Sequence, residues 1–127
     1  MFQETTHGIR IRATPQFEAE QSDLEGGVFV FSYTIDIFNE SNQTIQLISR
    51  KWVITDANGK TEEVQGPGVV GEQPVLEPGQ NHSYTSFCPL ATPIGSMHGT
   101  YQMVTREGAS FDAVIPTFTL AFPNALN

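Results

Sequence analysis

The chain has 127 residues, one cysteine and a net charge of −8 from 14 acidic and 6 basic side chains. That length suits a single domain, residues 1–127, with enough core to fold without a disulfide or structural metal. The lone Cys88 excludes an intramolecular disulfide, and the acidic balance argues against a general affinity for nucleic acid, which needs Lys and Arg on the phosphates.

Met1–His7 has neither a basic n-region nor an apolar h-region, so no secretory signal is expected there. No apolar run approaches the ~20 residues of a membrane helix, and a cytoplasmic protein without membrane insertion is the expectation. Ile9, Ile11 and Ala13 alternate with Arg10 and Arg12, the pattern of a half-buried strand. The clearest strand runs from Gly27 to Asn39, with Phe29, Phe31, Tyr33, Ile35 and Ile37 on one face. Asn39-Glu40-Ser41-Asn42 is turn-prone and predicts a hairpin into a strand over Thr44–Thr55. Apolar parity is mixed within that strand: Ile45, Leu47 and Val53 are odd, while Ile48, Trp52 and Ile54 are even. Either both faces are covered or a bulge shifts the register.

Asn58-Gly59 signals a two-residue turn into a short strand near Lys60–Val64. Further strands are expected over Asn81–Phe87, Gly99–Arg106 and Phe111–Phe122, with Glu107-Gly108 turning between the last two. Pro116 cannot donate to a ladder and marks an edge or a bulge. Helical spacing is missing. About seven strands, eight prolines and eleven glycines predict an all-β fold, a single β-sandwich of immunoglobulin or fibronectin type III type, with a small barrel as second choice.

Gly66, Gly68 and Gly71 spell G-x-G-x-x-G, the spacing of a phosphate-binding turn. Pro74 and Pro78 exclude the continuous helix that such a turn should open, and Glu72 puts a carboxylate where a phosphate would approach. A rigid loop explains the glycines more simply, with an anion nest of backbone amides as the sharper alternative. Arg50 shares the parity of Trp52, expected to be the core anchor. Parity places Arg50 beside the indole or against a carboxylate, and the sharper reading makes it an anion ligand near the glycine loop.

His7, His82 and His98 have no metal-ligand spacing, so no metal site and no cofactor are assigned. Cys88 lacks a local signature of activation and reads as a buried small residue. Ser83, Thr85 and Ser86 follow His82 on one strand, whose successive side chains alternate in direction, so no catalytic triad is assigned.

Three stretches together resemble the ApaG family. They are Leu47-x-Ser49-Arg50-x-Trp52-x-Ile54-Thr55, the run from Val64 to Gly79, and a third set of motifs downstream. The third set comprises Tyr84-Thr85-Ser86, Thr92-Pro93-x-Gly95-x-Met97-x-Gly99-x-Tyr101 and Ile115-Pro116-x-Phe118-x-Leu120. Two positions depart from the family pattern: Lys51, where an aromatic residue or His is usual, and Phe87, where Gly commonly follows.

The resemblance implies a fibronectin type III-like sandwich with no established enzymatic activity. It also implies protein–protein interaction, because the domain recurs in eukaryotic F-box proteins and in a polymerase-interacting protein. A bacterial member, CorD, is associated with cobalt resistance and magnesium efflux, and the glycine triplet is regarded as a pyrophosphate site. The leading expectation is a non-catalytic module for an unidentified protein partner. A phosphate or pyrophosphate sensor using Gly66, Gly68, Gly71 and Arg50 is the alternative, and a phosphoester hydrolase ranks below both.

Overall fold

The computed structural model describes residues 2–126. Two antiparallel sheets pack face to face as a β-sandwich. One sheet is built from β1 (Phe2–Thr6), β2 (Ile9–Phe17), β3 (Phe29–Asn39) and β7 (Asn81–Leu90), in the order β1-β2-β3-β7. The other has the order β5-β4-β8-β9, from β4 (Ile45–Asp56), β5 (Thr61–Pro67), β8 (Ile94–Thr105) and β9 (Ser110–Ala121). The two-residue β6 (Val75–Leu76) also pairs with β4. Two short 3-10 turns, Ala19–Gln21 and Pro123–Leu126, complete the described elements.

The alternation read in the sequence is the alternation of burial. Ile9, Ile11 and Ala13 of β2, and Phe31, Tyr33, Ile35 and Ile37 of β3, all face the second sheet. Trp52 is 2% exposed and sits edge-on to Tyr33, Tyr101 and Phe118, so it anchors the core as its composition suggests. The mixed parity of β4 comes with a bulge. Between Leu47 and Ser49 the strand advances two residues while β8 advances only from Met103 to Gln102. Ile48 is therefore left out of the ladder.

β9 also bulges: from Ile115 to Phe118 it advances three residues while β8 advances two, from Gly99 to Met97. Pro116 lies in that bulge, on an edge strand of its sheet.

Several elements differ from the sequence expectation. Among the described residues nine strands form rather than about seven, because β1 and β6 are additional. β1 exists because His7 (φ 48°) and Gly8 (φ 80°) take the left-handed pair of a two-residue hairpin turn. Asn58-Gly59 is not a two-residue turn. Gly59 donates to the Asp56 carbonyl and the Asp56 amide to the Lys60 carbonyl, which encloses three residues with Gly59 (φ 82°) last. Glu107-Gly108 closes in the same way, from Thr105 to Ala109. β5 runs on to Pro67, and β8 begins at Ile94.

Candidate functional site

The bulge at Ile48 organises the glycine-rich loop. β5 runs along one edge of β4 as far as the Ser49–Pro67 pair, and β6 takes up the same edge at Gln46–Val75. Between them the loop spans the bulge. The Ile48 carbonyl, freed from the ladder, accepts the Gly68 amide at 2.8 Å and the Gln73 side-chain amide at 2.9 Å. The Leu47 amide donates to the Pro74 carbonyl at 3.0 Å.

The loop tip is a tight turn. Val69 and Glu72 exchange amide–carbonyl bonds of 2.8 and 3.0 Å around Val70 (φ 48°) and Gly71 (φ 79°). Positive φ at both central residues is the type I′ geometry, unusual for a β-branched residue such as Val70. Val69 points inward and is fully buried, while Val70 is 64% exposed.

Arg50, Gly66 and Gly68 come together, and Gly71 stands apart at the tip. Arg50 Nη1 donates to the Pro67 carbonyl at 2.9 Å and to the Gly68 carbonyl at 3.0 Å. Its guanidinium lies flat on Gly66, where a Cβ would be 3.0 Å from both terminal nitrogens. The loop thus offers carbonyls to Arg50, and the amides of Gly68, Val69 and Glu72 are engaged within the fold. No carboxylate lies within salt-bridge distance of Arg50 among the described residues.

Arg50 also lines a cleft of about 280 Å³ on the side of the sandwich where β5 and β7 are both edge strands. Tyr33, Trp52, Glu62, Ser86 and Phe87 share its walls. All three tyrosines gather in this region. The Tyr84 and Tyr101 hydroxyls hydrogen-bond each other, and burial raises the pKa of both. Burial also raises the pKa of Tyr33, against the lowering effects of Ser86 and Arg50. The Cys88 thiol is buried and pushed up to about 11, first by desolvation and then by Glu62. It is a core thiol and a poor nucleophile at neutral pH.

The histidines separate. His7 packs edge-on to Phe111 at one end of the sandwich, and His98 lies opposite the β9 bulge. His82 points inward from β7. Its Nε2 is buried 3.6 Å from Glu72 Oε2 at the foot of the glycine loop. Among the described residues no three His, Cys, Asp or Glu side chains gather as a metal site.

Ser83 bonds Asp36 and Thr85 bonds Thr34 on the outer face, while Ser86 faces the cleft, as strand alternation requires. Sequence reasoning missed the cleft itself. The inward set Tyr84, Ser86 and Cys88 on one strand was the available signal, but only topology puts it opposite Arg50.

Comparison with known proteins agrees with this architecture. The ApaG domain family pattern matches residues 19–105. The chain is 53% identical over 123 residues to Protein ApaG of Beijerinckia indica subsp. indica, covering 97% of this chain and 95% of that one. It is 49% identical over 124 residues to Protein ApaG of Pseudomonas aeruginosa strain LESB58, covering 98% of each. The crystal structure of the putative ApaA protein from Bordetella pertussis superposes with a TM-score of 0.89 at 47% identity. That match covers 91% of this chain and 94% of the other. The chain belongs to the ApaG domain family.

Proposed function

We propose that this ApaG domain is a non-catalytic protein-interaction module that engages its partner along the open β5/β7 side. One observation carries the reading: β7 is an unprotected sheet edge beside a formed cleft. Natural sheets blunt their edges with charge, proline, bulges or short strands. β1 has five residues and carries Glu4. β9 is bulged at Pro116, and β5 carries Glu62 and Glu63. β7 runs ten residues without a Lys, Arg, Asp or Glu, in unbroken register on β3, with Pro89 only near its end. Phe87, 51% exposed, stands on it.

The absence of catalysis is supported by the high pKa of the Cys88 thiol and by the outward, structural bonds of Ser83 and Thr85. Cytoplasmic residence fits a chain in which, among the described residues, no helix is long and apolar enough to cross a membrane. The cobalt and magnesium association implied by the family resemblance is read as acting through a protein partner.

Affinity capture from a native lysate at several salt concentrations tests the reading. The wild-type chain should retain a specific protein that Phe87→Lys, a charge placed on the edge, releases. A wild-type chain that retains nothing specific contradicts it.

A further inference from the structure

A strand added beside β7 would extend the first sheet over β5, because β5 and β7 bound the same open side. Its alternate side chains would then point into the cleft, across the ~10 Å that separates packed sheets. The opposite wall reads in steps of two residues along the paired strands. Arg50 with Gly66 comes first, then Trp52 with Val64, then Ile54 with Glu62. Each step spans roughly 7 Å, the spacing of same-face residues on a strand. The cleft therefore presents a cation, an apolar centre and an anion in a line.

Arg50 is the informative end. One of its nitrogens is fixed on two loop carbonyls, its plane is held by Gly66, and no carboxylate pairs with it among the described residues. A guanidinium pre-oriented in this way suits a carboxylate from outside. The Tyr33 and Ser86 side chains face the same space.

We propose that β7 accepts an extended peptide segment of a protein partner as a fifth strand of the first sheet. The segment places a carboxylate side chain on Arg50, an apolar side chain over Val64, and a basic side chain against Glu62. The proposal rests on the interaction-module reading and names the chemistry of the partner. Main-chain bonds to β7 supply affinity, and the three alternate side chains supply specificity. A second copy of this chain is the competing occupant, and the net charge of −8 on each copy opposes it.

The test uses the full chain, isotope-labelled, and a capped peptide of sequence Thr-Glu-Thr-Val-Thr-Lys-Thr. Amide shifts and slowed hydrogen exchange should be confined to β7 residues 81–88 and the cleft. Replacing the peptide Glu with Gln should weaken binding roughly tenfold or more, the effect of a charged hydrogen-bond partner. Backbone N-methylation of the peptide should abolish binding with every side chain intact. Glu62→Gln, at an exposed position, should remove the preference for Lys over Gln in the peptide, with spectral changes in the free protein confined to the surroundings of residue 62.

Unmoved β7 signals at peptide concentrations on the order of millimolar would overturn the proposal. Equal affinity for the Glu and Gln peptides, or a free protein that is a β7-paired dimer, would do the same. A captured protein partner that covers the cleft walls on the β5/β7 side without slowing the edge amides of β7 would end this proposal and leave the interaction-module reading standing. Failure to capture any partner ends that reading itself.

Discussion

At Gly68 (φ +61°) an added Cβ would lie 2.3 Å from the Glu72 carbonyl oxygen, a backbone atom that cannot step aside. Gly66 faces a different neighbour, the Arg50 guanidinium at 3.0 Å, which is the movable end of a side chain. Gly71 (φ +79°) has nothing within 4 Å, so only its backbone conformation demands glycine. The three alanine variants should therefore separate. Gly68→Ala should cost on the order of 3 kcal/mol or more, combining clash with strain. Gly71→Ala should cost about 1 kcal/mol. Gly66→Ala should cost least in stability but displace Arg50, which denaturant melts and the Arg50 side-chain NMR signal would show. Equal costs at all three positions would contradict separate roles.

The same turn holds Val70 at φ 48°, where asparagine is tolerated far better than a β-branched residue. Val70→Asn should stabilise the fold by about 0.5–1 kcal/mol, seen as a raised thermal midpoint. A fold that keeps a strained, exposed valine there is consistent with use of that surface.

Elements of this fold are tied by a few side chains, and Asn39 at the end of β3 is the most connected. It is fully buried. Its Nδ2 donates to the carbonyls of Gln43 and Leu76, and its Oδ1 accepts from the Ser41 amide and hydroxyl. Through Leu76 it fixes β6, and with it the far end of the glycine loop. Asn39→Ala should cost roughly 2–4 kcal/mol, because two carbonyls lose buried partners. Exchange of β6 and loop amides should rise with it, and a mild, purely global loss would argue against this tether.

Much at this scale was legible in the sequence. Alternation located β3, the mixed parity of β4 left a bulge as one of two readings without placing it, and Pro116 marked an edge or a bulge where β9 has both. Strand β1 was hidden because Phe2 alone shows its inward face, and β6 because two residues carry no period. The cleft was hidden for a different reason. Its walls come from β3, β4, β5, β7 and β8, and the pairing that assembles them is non-local. Sequence left Arg50 between a paired residue at the sheet rim and an anion ligand near the glycine loop, and the contact found, guanidinium onto carbonyls, needed coordinates.

The whole molecule couples its stability to alkaline pH through the polar groups within the sandwich. Burial raises the Tyr33, Tyr84 and Tyr101 hydroxyls, and raises the Cys88 thiol to about 11. A raised folded-state pKa means that the folded protein holds its proton more tightly than the unfolded chain. That contribution is complete below the unfolded pKa, ~9 for the thiol and ~10 for the phenols, and is lost as pH climbs through the folded values. Stability should fall steadily above about pH 9, and tyrosinate absorbance should appear together with unfolding. Three phenols titrating independently near pH 10 in the folded protein would contradict the buried cluster.

We propose that this sandwich meets its partner along β7. The most direct measurement is residue-resolved amide hydrogen exchange of the chain with and without the protein it captures. Slowing should concentrate on Asn81–Cys88, with smaller changes at Arg50 and the glycine loop. A footprint at the opposite end, around His7 and Phe111, with β7 unchanged, would contradict it.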